Sequence, residues 1–109
     1  MNVIKACKHG LTLYNSNDMY VGKSLDQYGE YAEGEIDLFK ELVQKGDTVY
    51  DIGANIGSHT LAFARMVGEK GFVAAFEPQR QVYYVLCANV AMNNFSHVHC
   101  MPMALSNIA

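Results

Sequence analysis

The chain has 109 residues, half of them apolar and 17% charged, with a formal net charge of -3. This composition suits one domain with a packed core and excludes a disordered chain, and the scattered Lys and Arg signal no surface that tracks a nucleic-acid backbone. The longest apolar run, Val82–Ala88, is seven residues against the roughly 20 of a membrane span, and Cys7, Cys87 and Cys100 form no C-x-x-C, so neither a membrane, a disulfide framework nor a zinc site is expected, and the compartment reads as the reducing cytoplasm.

Residues 1–30 read as a small β extension. Val3–Cys7 and Leu11–Tyr14 flank Lys8-His9-Gly10, a hairpin connection. Asn15–Asp18 is a polar turn, and Met19–Val21 is expected as one more short strand. Residues 31–109 read as the main unit. A helix is predicted over Glu33–Lys45, where Ile36, Phe39, Leu42 and Val43 recur at helical spacing. Glu33 and Glu35 suit its positive end, and Gly46 supplies the stop.

From Thr48 the pattern alternates. Thr48–Ile52 is a β-type run, followed by a helix from about Gly57 to Val67, stopped near Gly68. Phe72–Phe76 is a continuous apolar run, as in a strand covered on both faces. A third helix is expected with Pro78 in its first turn and Val82, Val85, Leu86 and Val90 as its inner stripe. Asn93-Asn94 ends it, and Val98–Leu105 reads as a third strand. The order β-α-β-α-β with short connections implies a parallel sheet with right-handed crossovers. The fold class is therefore α/β, the mononucleotide-binding half of a doubly wound sheet.

In such sheets a ligand sits beyond the C-terminal strand tips. Two features fall there. One is the loop Asp51-Ile52-Gly53-Ala54-Asn55-Ile56-Gly57. Gly53 permits positive φ and a close backbone approach. Gly57 opens a helix whose free N–H groups attract an anionic group, and Asp51 offers a carboxylate to a cationic one. The other is Glu77, 20 residues past Gly57, where a carboxylate can accept both hydroxyls of a ribose. A dinucleotide fingerprint aligned on Gly53 meets Asn55 and Ser58 where glycines belong, and no Gly-Lys-Ser/Thr follows. A pyrophosphate-binding dehydrogenase and a P-loop are thus disfavoured.

Asp51–Gly57 with Phe76-Glu77-Pro78 resembles class I S-adenosylmethionine-dependent methyltransferases, within them the FkbM type. The likeness extends to Gly46–Tyr50, Ser58-His59-Thr60, Asn89, Asn93, Ala104–Asn107 and, upstream, Tyr28–Tyr31. It implies a Rossmann-like sheet and S-adenosylmethionine as cofactor. Asp51, Gly53, Ala54, Asn55 and Gly57 would then serve the methionine end, with Asp51 near its amino group. Glu77, followed by Pro78, would hold the ribose, and Ala104 would lie near the adenine. The implied reaction is O-methylation of a small molecule or saccharide, with no residue that marks a general base.

The resemblance also implies a sheet of about seven strands, of which this chain supplies three. Thr48–Ile52 would lie mid-sheet, so its bare edge is expected to self-associate or to pair with a partner chain. Truncation of a longer protein is the expected cause, and a noncatalytic nucleoside-binding or assembly module is the rival reading. Other groups have plainer readings. His97 and His99 would share a strand face without a third metal ligand. His59, at a helix start, is expected to face solvent, with reach into the pocket as the alternative, and Tyr28–Tyr31 is either a packed aromatic turn or a cofactor-side contact. Asn89 is expected to hydrogen-bond a loop, and Cys87 and Cys100 to pack in the core.

Overall fold

A computed structural model of the chain describes residues 1–105. Strand β1 (Asn2–Cys7) pairs antiparallel with β2 (Gly10–Asn15). Where a third short strand is expected, the chain instead forms helix α1 (Val21–Tyr28). Val21 and Leu25, one turn apart, bury against Tyr14 of the hairpin. Asp18 satisfies the start of this helix, its carboxylate accepting the N–H of Gly22 at 2.6 Å. A polar turn followed by an i, i+4 apolar pair is a helix start, and that signal overrides the short apolar triplet.

Helix α2 (Glu33–Leu42) stops three residues before Lys45, at an extended, β-branched Val43. The turn after it is closed by Asp47, whose carboxylate accepts the N–H of Gln44 at 2.8 Å. Gly46 therefore belongs to that turn rather than to the helix end. Strand β3 (Thr48–Ile52), helix α3 (Ser58–Val67) and strand β4 (Phe72–Phe76) follow the predicted bounds closely. Helix α4 (Arg80–Met92) begins after Pro78, with Gln79 as its N-cap, so Pro78 sits outside the first turn. Strand β5 (Val98–Met101) ends at Pro102, which has no N–H to continue a ladder. The expected extension to Leu105 does not form. Ser106 and Asn107 lie outside the described residues.

The sheet is parallel, in the order β3-β4-β5. Together with α3 and α4 this is an α/β, Rossmann-like arrangement, preceded by the small antiparallel hairpin. Val73 and Ala75 of β4 are fully buried against Ala64, Val67, Leu86 and Val90. On the opposite sheet face Tyr50 and Ile52 of β3 remain 64% and 60% exposed. Among the described residues no strand pairs with the outer edge of β3, so the expected bare edge is present.

The hairpin is docked by two asparagines of α4. Asn89 accepts the N–H of Leu13 at 2.6 Å and donates to its carbonyl at 3.1 Å. Asn93 does the same for Leu11, at 3.1 and 2.8 Å. Four helical residues rise about 6 Å and two strand residues about 6.6 Å, so the two amides match the strand's own repeat. Asn89 also donates to the carbonyl of Ile56 at 2.7 Å, which ties the glycine loop to the same helix. It is a structural hydrogen-bonder, as expected.

Candidate functional site

The loop after β3 bends back over the sheet. The N–H groups of Gly53 and Ala54 both donate to the carbonyl of Phe76, at 2.9 and 2.8 Å, and so tie the loop to the tip of β4. Gly53 has φ +73°, and a β-carbon there would meet no protein atom within 4 Å. It faces open space, so the backbone is accessible to a ligand. Gly57 is different. It has φ +98° and lies under the loop, where a β-carbon would come within 2.8 Å of Leu86 Cδ1. Its role is to cap α3 and let the loop pack on α4. Between them Asn55 takes a left-handed turn at φ +56°, and its side chain accepts the N–H of Ile56 at 2.8 Å.

The two strand-tip carboxylates flank this loop. Asp51 is half-buried and accepts the Thr60 hydroxyl at 2.6 Å. Burial pushes its carboxyl above the ordinary range, and the bond from Thr60 and the charge of His59 offset this only in part. Glu77 is 6% exposed. One of its oxygens accepts the N–H of Asn55 at 2.9 Å, the other that of Gln79 at 3.0 Å. Each carboxylate oxygen has two lone pairs, so Glu77 keeps capacity for one further donor per oxygen.

Asp51, Gly53, Ala54 and Asn55 line one cleft of about 270 Å³, together with Tyr31, Ser58 and His59. Glu77 does not line that cleft; it is tied to the lining only by the N–H of Asn55. Pro78 and Ala104, the latter three residues beyond β5, are exposed, and neither lines the cleft. Two residues of the Ser58-His59-Thr60 likeness, to which the sequence assigns no site role, stand at the cleft or behind it. Thr60 is fully buried and holds Asp51. Its signal was position, since the third residue of α3 faces back toward the strand tip. His59 turns into the cleft instead of toward solvent. Its side chain is 19% exposed and makes edge contacts with Tyr31, Phe39 and Phe63. Tyr31 lines the cleft, whereas Tyr28 is exposed.

The histidines of β5 do not converge. His97 precedes the strand and its Nε2 contacts the carbonyl of Ala64 at 2.8 Å, while His99 stacks at a tilt on Phe72. Among the described residues no cluster of metal-ligating side chains occurs. Cys87 and Cys100 are half-buried free thiols, at the margin of the core rather than inside it.

A parallel sheet, a glycine loop over its first strand and a carboxylate at each of the first two tips define the class I S-adenosylmethionine-dependent methyltransferases by resemblance. Comparison with family profiles narrows this: the protein-L-isoaspartate(D-aspartate) O-methyltransferase profile matches residues 14–103, and the chain belongs to that family. Among solved structures it is similar to a Clostridium thermocellum protein assigned as an rRNA methylase, with 26% identity and a TM-score of 0.65 over 69% of this chain and 41% of that one. It is similar to a SAM-dependent methyltransferase from Aquifex aeolicus, with 27% identity and a TM-score of 0.61 over 66% of this chain and 39% of that one. Trm5b from Pyrococcus abyssi shares the fold at 17% identity, with a TM-score of 0.74 over 99% of this chain and 30% of that one. The chain thus spans well under half the length of these solved relatives. No curated protein sequence matches it.

Proposed function

We propose that the cleft and its two tip carboxylates hold S-adenosylmethionine, and that the protein is a methyltransferase of FkbM type acting on an oxygen of a small molecule or saccharide. The observation that carries this reading is the linkage of the two tips. Asp51 lines the cleft, and the N–H of Asn55, another lining residue, is bound to Glu77. A ligand with an ammonium, a carboxylate and a ribose fits that donor set. Asp51 takes the ammonium, the free N–H groups at the start of α3 face the carboxylate, and the spare lone pairs of Glu77 take the two ribose hydroxyls. The open side of Gly53 leaves room for the ligand backbone. Ala54 and Asn55 shape the loop, Gly57 sets the helix start, Pro78 fixes the chain after Glu77, and Ala104 is assigned to the adenine side.

When bound, the cofactor supplies an activated methyl group, and the protein's part is to align it with the acceptor. The description of the matched family as an O-methyltransferase supports an oxygen acceptor. The Gly46–Pro78 likeness supports the FkbM type and, with it, the small-molecule or saccharide acceptor. The rRNA-methylase assignment of one solved relative keeps nucleic acid among the acceptors to be assayed. No helix among the described residues is long and apolar enough to cross a membrane, and we place the protein in the cytoplasm.

The exposed edge of β3, with Tyr50 and Ile52 beside it, favours a second reading. There the chain is a noncatalytic nucleoside-binding or assembly module, and a partner chain or second copy completes the sheet. Calorimetric titration of S-adenosylhomocysteine tests the first reading directly. Binding is expected in the 109-residue chain and is expected to be lost in Asp51→Ala and Glu77→Ala. A folded chain that binds nothing overturns it. Size-exclusion chromatography of the same sample then tests the assembly reading.

A further inference from the structure

We infer that His59 reads the carboxylate of the ligand's amino-acid end while Asp51 reads its ammonium, so that the cleft selects a zwitterion and takes up a proton on binding it. This rests on the reading of the cleft as the seat of the cofactor's methionine end.

Among the residues lining the cleft none is Lys or Arg, and His59 is the one whose side chain can carry positive charge. It is held in place. Tyr31 and Phe63 meet its ring edge-on at centroid distances of 6.0 and 6.4 Å, and Phe39 of α2 closes a third side at 6.4 Å. Its Nε2 lies 3.8 Å from a carboxylate oxygen of Glu35, which is itself mostly exposed. On the β3 side it is near enough to Asp51 to lower that carboxyl.

The charged and titratable groups facing the imidazole are therefore Glu35 from α2, Asp51 from β3 and Tyr31 from the segment between α1 and α2. A ligand carboxylate arriving beside the ring adds an anion next to Glu35 and Asp51, and the imidazolium is the form that pairs with it. Titrations that span the ordinary imidazole range, about pH 5 to 8, therefore read the proton transfer.

Two ligands separate the parts of this claim. S-adenosylhomocysteine carries the zwitterion and the nucleoside. Methylthioadenosine carries the nucleoside alone. Titrations at several pH values, in buffers of different ionisation enthalpy, give affinity and protons exchanged. For S-adenosylhomocysteine, proton uptake is expected near neutral pH, with affinity falling by up to about tenfold per pH unit on the alkaline side. For methylthioadenosine, no uptake and a flat alkaline limb are expected. His59→Gln, which keeps a polar side chain of similar reach, should flatten the limb for S-adenosylhomocysteine and leave methylthioadenosine unchanged.

An alkaline limb that is absent in the unaltered chain, or that survives in His59→Gln, overturns the role of His59 and leaves the cofactor reading standing. In the unaltered chain the two-ligand contrast below about pH 7.5, where the ligand's own ammonium stays protonated, carries the test even if the variant does not fold. Failure of both ligands to bind a folded chain overturns the cofactor reading, and this inference with it.

Discussion

Asp51 and Glu77 stand at the tips of neighbouring parallel strands, Asp51 one residue before the end of β3 and Glu77 one residue past the end of β4. They are held in opposite ways. Glu77 receives two backbone N–H groups, one from the glycine loop and one from the start of α4. It joins two segments and is nearly sealed from water. Asp51 receives one side-chain hydroxyl, remains open to the cleft and is pushed above its ordinary range by burial. The difference teaches that a strand-tip carboxylate can be part of the scaffold or a charge kept in reserve. Glu77 stabilises the loop that forms the site. Asp51 is held at some expense to stability, which a cationic partner or a proton relieves.

The contrast is broken most severely at Glu77. Glu77→Ala leaves the N–H groups of Asn55 and Gln79 without acceptors, a destabilisation of about 2–4 kcal/mol, together with loss of S-adenosylhomocysteine binding. Urea denaturation and calorimetry read the two effects. Glu77→Gln keeps one acceptor and should fall between. A Glu77→Ala chain as stable as the parent would show that the carboxylate joins nothing.

Asp51→Asn should separate the properties that Glu77→Ala loses together. Affinity is expected to fall by about tenfold or more, since one unit charge opposite an ammonium is removed. Stability at neutral pH is expected to stay level or rise, because the amide oxygen still accepts from Thr60 and no charge is buried. Destabilisation equal to that of Glu77→Ala would erase the distinction. Thr60→Val is the gentler probe. It removes the one hydroxyl on Asp51 at nearly constant volume, for about 1–2 kcal/mol in thermal or urea unfolding. Water can reach the half-buried carboxylate and replaces part of the bond.

Much of this contrast was legible before the fold was seen, and the reason is local. Strand β4 and the loop after β3 are specified by contiguous residues: a five-residue apolar run, then glycines that only special backbone angles explain. Glu77 could be placed at a strand tip by counting. Its grip on Asn55 and Gln79 could not, because nothing in the spacing says which donors face it. The side-chain directions of Thr60 and His59 could not be read from spacing for a related reason. Their directions depend on how α3 rotates against β3 and α2, which is settled by packing of Phe39 on Phe63 rather than by periodicity. The helix over Val21–Tyr28 was missed because one turn of apolar spacing is too short to separate from a strand. Strand β5 carries the opposite lesson: it ends at Met101, before Pro102, so Ala104 lies three residues past its end.

The smallest expected effect concerns pH, and its sign follows from the direction of each shift. The folded chain raises the Asp51 carboxyl above its unfolded value, so it holds that proton more tightly than the unfolded chain does. Asp51 therefore favours folding more as pH falls toward and through its folded value. Glu33 acts in the other direction. Its burial would raise it, but Lys8 and His9 at about 3 Å outweigh that and leave it lowered. Its contribution is present above the unfolded value and is lost as pH falls. A single acid-unfolding curve mixes the two. The difference between the parent chain and Asp51→Asn isolates one. Asp51→Asn should be the equal or better folder at about pH 7, and the parent should gain on it steadily toward pH 4. The gain comes from protonation of the Asp51 carboxyl, which keeps its bond to Thr60, and stays below about 1 kcal/mol for a half-buried group. A gap that stays flat across that range would mean that Asp51 is held no differently in the folded and unfolded chain. The carboxylate in reserve would then be an ordinary one.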